Sequence, residues 1–319
     1  MKRFSFRFLL MAFLPIFIVA CSSDDDDDMD MDVQQNIVEL ASDTESLSTL
    51  VAAVVRADLA ATLSGAGPFT VLAPTNDAFE TFLQDAGFAN LEEVPVDVLT
   101  QILLNHVIAG DIRSTDLSTG YASTLAVFPD SENNLSLYVD TEGGVTFNGV
   151  SNVSTADVEA SNGVVHIVDA VIGLPTVTTF AASNSLFDIL VQALTRSDLT
   201  TNYAEVLSGD GPFTVFAPTN AAFVALLEEL ELSSLDDVPA ALLEQVLQYH
   251  VVPGANVRAG DLSDGQEVNT FQGDSFTINL GATPSIVDAR DRTANIIATD
   301  VQGVNGVVHV IDRVILPGE

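Results

Sequence analysis

Apolar residues at Ile37, Leu40, Leu47, Leu50, Val51 and Val54 recur with the period of a helix that buries one face. The pattern returns at Val177, Phe180, Phe187, Leu190, Val191 and Leu194. After the first helical stretch comes Gly67-Pro-Phe-Thr-Val-Leu-Ala-Pro-Thr-Asn76-Asp-Ala-Phe79, and after the second comes its copy, Gly211-Pro-Phe-Thr-Val-Phe-Ala-Pro-Thr-Asn220-Ala-Ala-Phe223. Thr70 to Ala73 predicts a short strand that stops at Pro74, which has no N–H to give a sheet ladder. Thr75 or Asn76 then offers an oxygen as N-cap for a helix starting near Asp77, which places Phe79 on the core side. Thr219 and Asn220 stand in the same places in the copy.

Farther along, Glu93-Val94-Pro95 and Asp237-Val238-Pro239 predict helix starts, with a proline at the first helical position behind an acid. Val98, Ile102 and Leu103, and likewise Leu242, Val246 and Leu247, are expected to face the core. These helices run into Asn105-His106-Val107 and Tyr249-His250-Val251. Leu135 to Val139, Val145 to Phe147, Phe276 to Leu280 and Asn295 to Ala298 read as short antiparallel strands between Gly- and Asp-bearing turns. Each half closes on a second repeated stretch, Asn162-Gly-Val-Val-His-Ile-Val-Asp169 and Asn305-Gly-Val-Val-His-Val-Ile-Asp312. Asn-Gly is a strong hairpin signal, and the Val/Ile run after it reads as a buried strand.

An internal repeat of roughly 140 residues matches the usual size of a domain with its own core. The chain therefore divides into a first domain over 33–174 and a second over 175–319, each α+β with helices early and strands late. The second copy carries a short insertion including Asn202 and Tyr203, expected to extend a loop. The connection Gly173-Leu-Pro-Thr176 is short and holds a proline, which predicts a semi-rigid tandem.

The N-terminus has a different character. Lys2, Arg3 and Arg7 precede an apolar run from Phe8 to Ala20, the layout of a secretory signal over 1–20 and too short for a membrane span. Ile18-Val19-Ala20-Cys21 resembles a bacterial lipobox, whose cysteine is acylated after cleavage, so Cys21 is the expected lipid anchor. It is the only cysteine, which excludes internal disulfides. Ser22, Ser23, Asp24 to Asp28, Asp30 and Asp32 then form an acidic tether over 21–32. Two readings of it stay open: a spacer, or a segment similar to the surface-export signal of some Gram-negative lipoproteins.

The charge balance removes whole classes of function. Forty-five acids stand against ten bases, a formal net charge of −35. Such a field repels nucleic acid and bare anionic lipid. Cleavage before Cys21 also takes away the sole lysine, and with it Schiff-base chemistry. No Gly-x-Ser-x-Gly elbow, phosphate-binding glycine loop, His-Glu-x-x-His or cysteine nucleophile occurs, so neither a catalytic site nor a cofactor is expected.

The two boxes, in order, at their spacing and twice over, resemble the fasciclin (FAS1) domain family, across residues 35 to 318. The resemblance implies a wedge of two small sheets flanked by helices. It also implies adhesion to cells, matrix or surface polysaccharide by a protein outside the cytoplasm, here anchored to the outer membrane and facing either the surface or the periplasm. Tyr249-His250 is similar to the family's Tyr-His adhesion motif; the first copy has Asn105-His106 in its place.

All four histidines occupy repeat-equivalent positions, His106 with His250 and His166 with His309. Each sits in or beside an apolar run, where a neutral imidazole ties loops together with one donor and one acceptor bond. A zinc site would need three or four clustered ligands, so no metal is expected. Asp169 and Asp312 are expected to accept backbone or hydroxyl hydrogen bonds. A histidine-lined pocket for a small molecule or a reaction, and a periplasmic scaffold, are the competing readings.

Overall fold

Helix α1 (Ile37–Asp43) starts at Asn36, whose Oδ1 accepts from the amides of Val38 and Glu39 while its own N–H donates to the Glu39 carboxylate. The computed structural model describes residues 34–318; the expected signal segment, Cys21 and the acidic tether lie outside the described residues. The periodic stretch read as one helix is two. Thr44 turns extended (φ −98°, ψ 105°), and after a 3-10 turn the chain re-enters α2 (Ser48–Arg56). The equivalent pair in the second copy is bent by 98°. The bend lets both halves face one core: Ile37, Ala41, Leu47, Leu50 and Val54 are all buried.

After the short α3 (Ala60–Leu63), the first box forms β1 (Phe69–Pro74) and α4 (Asn76–Asp85). Thr75 is the N-cap, its hydroxyl accepting from the Ala78 amide at 3.3 Å, and Phe79 is 1% exposed. Helix α5 (Val96–Asn105) has Pro95 as its N-cap rather than its first residue. It buries Ile102 and Leu103 as expected, but Leu99 in place of Val98, which stays 39% exposed. The second copy likewise buries Leu243 completely and Leu242 only in part.

The remaining first-copy strands are β2 (Val107–Ala109), β3 (Gly120–Val127), β4 (Asn134–Asp140), β5 (Thr146–Phe147), β6 (Ser151–Ala160) and β7 (Gly163–Val168). They close a ring in sequence order, with β1 antiparallel to β2 and parallel to β7. Sequence periodicity missed β2, β3 and β6. Strand β6 is largely polar and broken by register shifts, with Asp157 in the left-handed region (φ 59°), so no alternation of period two survives. Ser151 and Asn152 pair with β5, and from Val153 onward the strand pairs with β7 across those shifts.

The second copy runs α6 (Val177–Ser183), α7 (Asp188–Leu194), α8 (Tyr203–Ser208), β8 (Phe213–Pro218), α9 (Asn220–Glu229), α10 (Ala240–Tyr249), β9 (Val251–Pro253), β10 (Glu267–Asn269), β11 (Ser275–Asn279), β12 (Ser285–Val287), β13 (Thr293–Gly303) and β14 (Gly306–Ile311). Tyr203 is the first residue of α8, not part of a loop, and its ring is buried. Asn202 caps that helix through the Glu205 amide. The sheet order is β10-β11-β12-β13-β14-β8-β9, with β8 parallel to β14. Each copy thus has two apolar layers. In the first, Val71 and Ala73 of β1 face the helices, and Leu72 faces Leu137, Phe147 and Ile172 inside the ring.

The copies pack directly on one another. Tyr121 of β3 lies edge-on against Phe180 of α6, with ring centres 5.7 Å apart and planes at 87°, and leans on Tyr138 at 5.2 Å. Its hydroxyl accepts from Asn184 Nδ2 at 3.1 Å, and the Gln302 amide donates to Ser136 Oγ at 2.9 Å. Among the described residues no single helix is long and apolar enough to cross a membrane. Tyr121→Ala removes the aromatic contact and leaves Asn184 without its acceptor, an expected loss of about 2–3 kcal/mol. Calorimetry is expected to show one transition for the native tandem and two for the variant.

Candidate functional site

The repeated polar residues gather at the seam between the first strand and the last strand of each copy. In the parallel pair, Leu72 stands beside His166 and Phe216 beside His309. Gly163 makes that pairing possible: a Cβ there would lie 1.9 Å from the Phe69 carbonyl oxygen, and one at Gly306 would lie 2.1 Å from that of Phe213.

His106 and His250 end α5 and α10 and are 2% and 4% exposed. Nδ1 donates back to the carbonyl of Ile102 (2.7 Å) or Val246 (2.6 Å). Nε2 accepts the amide of Ile172 (2.9 Å) or Ile315 (3.1 Å), in the segment that leaves each copy's last strand. His166 and His309 use the opposite tautomer. Nε2 donates to the carbonyl of Ile112 (3.0 Å) or Val257 (2.9 Å), and Nδ1 accepts from the amide of Asp157 (3.2 Å) or Asp300 (3.5 Å). Both nitrogens of every ring are in use. Burial outweighs the backbone bond and drives the pKa of His106 and His250 down to about 4; that of His309 is lowered for the same reason.

Tyr249 is fully buried. Its hydroxyl donates to the Ser275 carbonyl at 2.8 Å and accepts from the Ala289 amide at 3.0 Å, and desolvation raises its pKa to about 12. Asn105, also fully buried, donates to the Gly173 carbonyl at 3.1 Å and accepts from the Thr124 hydroxyl at 3.3 Å. None of Asn105, His106, Tyr249 and His250 offers its side chain to solvent, so a partner at this place would meet the surrounding surface instead.

Asp169 accepts the backbone and side-chain amides of Asn152 at 2.7 and 3.0 Å; Asp312 accepts those of Asn295 at 2.8 and 2.7 Å. Thr219 caps α9 through the Ala222 amide. Asn76 and Asn220 do not cap their own helices. They reach back to the amides of Thr49 (2.8 Å) and Ile189 (2.9 Å), and so fix the second helix of each bent pair.

Asn162 and Asn305 act as hubs that sequence reasoning read only as hairpin signals. Asn162 Oδ1 accepts from the Ile37 amide at 2.9 Å, and Nδ2 donates to the carbonyls of Leu63 (2.8 Å) and Gly65 (2.9 Å). Asn305 repeats this with Val177, Leu207 and Gly209. Exact recurrence of Asn at both positions was the available signal. The second copy also buries Asp288, which accepts the amides of Arg290, Arg292 and Leu316. Among the described residues no three His, Cys, Asp or Glu side chains cluster to hold a metal ion.

The Fasciclin domain family matches this chain twice, over 45–175 and 185–317. Human periostin is 30% identical over 268 residues, covering 80% of this chain and 29% of periostin. Protein sll1483 of Synechocystis sp. is 41% identical over 141 residues, covering 44% of this chain and 74% of that protein. The pig transforming growth factor-beta-induced protein ig-h3 is 28% identical, with 80% of this chain and 35% of that protein covered. The chain thus spans about a third of periostin and of ig-h3. A solved FAS1 domain pair from the insect cell adhesion molecule fasciclin I aligns with TM-score 0.49 and 22% identity, over 83% of this chain and 92% of that one.

Two outcomes are expected from this geometry. His106 and His250 have folded pKa values below the ordinary 6.5, so their contribution to stability is complete above pH 6.5 and is lost as pH falls toward about 4. The slope is at most about 1.4 kcal/mol per pH unit for each ring. Urea midpoints of native protein and His250→Asn at pH 7 and pH 5 should show the variant weaker at pH 7 but losing less on acidification. Asn305→Ala orphans one amide and two carbonyls, and chemical denaturation should show a loss of about 3 kcal/mol or more.

Proposed function

The chain belongs to the fasciclin domain family, and on that premise we propose that it is a lipid-anchored envelope protein that binds partners outside the cell through its paired domains. The family supports a binding or adhesion role. The finer reading, an anchor at Cys21 in the outer membrane with the domains at the cell surface, rests on the signal-like segment, the lipobox-like cysteine and the acidic run behind it.

One observation carries the choice of a binding module over an enzyme. The histidines and the repeated Asp, Asn and Thr residues are spent on holding backbone in the same way in both copies, and Tyr249 holds backbone in the second. A general base needs a free lone pair within reach of a substrate proton. A ring whose two nitrogens are engaged and whose pKa has fallen to about 4 does not offer one. Recognition is left to the outer surface, where partners are proteins or polysaccharides of cells and matrix. The acidic field excludes nucleic acid.

The test is protease shaving of intact cells that express the native chain, a Cys21→Ser chain and a chain with Asp24 to Asp28 changed to Ser. Surface domains predict cleavage of the native chain, loss of the Cys21→Ser chain from the membrane fraction, and protection when the acidic run is removed. Protection of the native chain as well sinks the surface reading and leaves an envelope scaffold.

A further inference from the structure

Among the differences between the two copies, one falls at an equivalent point in both, the bulge in β6 and in β13. In the first copy the bulge is sealed by charge. Asp157 accepts both the amide and the hydroxyl of Ser114, and its pKa is lowered by those bonds. Arg113 is locked between Asp111 and Glu159, at 2.8 Å from each. In the second copy Arg258 keeps the place of Arg113, but Ser114, Asp111 and Glu159 are all exchanged. Ala259 stands where Ser114 does: its amide binds Asp300 Oδ1 at 2.8 Å, but no hydroxyl reaches Oδ2, whose charged neighbour Arg258 is 3.4 Å away. Asn256 and Gln302 replace Asp111 and Glu159 and bind each other as neutral amides at 2.9 and 3.1 Å. Thr299 replaces Ala156 and adds an exposed hydroxyl.

The unsealed bulge faces the other domain. Between β13 and the β3–β4 pair lies a cleft of about 360 Å³ lined by Tyr121, Ser123, Ser136, Ala298, Thr299 and Asp300. That is within the size range of ligand sites, roughly 300–1,000 Å³, and domain junctions are a favoured place for them. Ser123 and Thr299 are exposed, and among the described residues their hydroxyls bond to nothing. The cleft therefore offers two free hydroxyls, a carboxylate oxygen short of donors and an aromatic side wall, with small Ala side chains keeping it open.

We infer that this junction cleft binds a glycosyl unit of a neutral polysaccharide. Sugar hydroxyls both donate and accept, which suits Ser123 and Thr299, and they donate well to a carboxylate such as Asp300. The apolar face of a sugar ring fits against Tyr121. Phosphorylated and uronate ligands are disfavoured by Asp300 and by the net charge of −35. The inference rests on the binding-module reading and names its partner class.

The test uses the purified full-length protein, with cellotetraose and maltotetraose as neutral probes and tetragalacturonate as the anionic one, read by saturation-transfer NMR and calorimetric titration. A neutral tetrasaccharide is expected to bind in the millimolar range. Ser123→Ala with Thr299→Val should weaken it by about tenfold, the loss of two hydrogen bonds, with no change in melting temperature. Ala259→Ser, which restores the first copy's donor to Asp300, should weaken it as well. Absence of binding by both neutral probes, or binding that neither variant alters, overturns the cleft. Shaving of intact cells keeps the two proposals apart: a surface-exposed chain that binds no probe sinks the cleft alone, and a protected chain that binds sugar sinks the surface location alone.

Discussion

The parallel pairing of each copy's first strand with its last, β1 with β7 and β8 with β14, is the constraint on which the rest depends. It joins segments nearly a domain apart in sequence, so it must overcome the loop-closure cost of everything between them. Glycine at 163 and 306 allows the approach, because a Cβ would collide with the opposing carbonyl. Asparagine at 162 and 305 then fastens the start of the first helix and the end of the third to the same turn. With the ends sewn together, β1 and β8 are apolar on both faces, packing the helices on one side and the remaining strands on the other.

The buried polar groups follow from that closure. Pairing the first strand with the last leaves backbone amides and carbonyls at the seam without ladder partners, and each orphan in the interior would cost about 1–3 kcal/mol. Imidazole is suited to this place, since one neutral ring carries a donor and an acceptor on opposite sides. His106 and His250 bridge a helix end to the exit segment, while His166 and His309 bridge a bulge to a loop. A residue so employed recurs in both copies because the same geometric problem recurs in both. Function has room to reside at the junction, where Tyr121 meets Phe180, and at the unsealed bulge at Asp300 beside it.

Much of this was legible in the chain. The strand, the corner and the capped helix of the first box could be read from Pro74 and Thr75, because a proline and an N-cap act within a few residues. The histidine positions were equally plain, but their partners were not: Ile172 and Ile315 lie far along the chain from the rings they bind. The break at Thr44 was missed because two helices that share one core keep a single apolar period across the bend. Strand β6 was missed because its bulge destroys the alternation that marks a strand.

By itself the sequence determined the repeat, the α+β class, the domain family and the acidic field, since each is a matter of composition, local stereochemistry or exact recurrence. Only the tertiary structure decided which asparagines, histidines and carboxylates are consumed by the fold and which stay free. That is a question of partners brought together by ring closure and domain packing, and no local pattern encodes it. The contrast between Asp157 and Asp300 makes the point: both follow the same bulge, and the difference lies in whether the residue folded against them is Ser114 or Ala259.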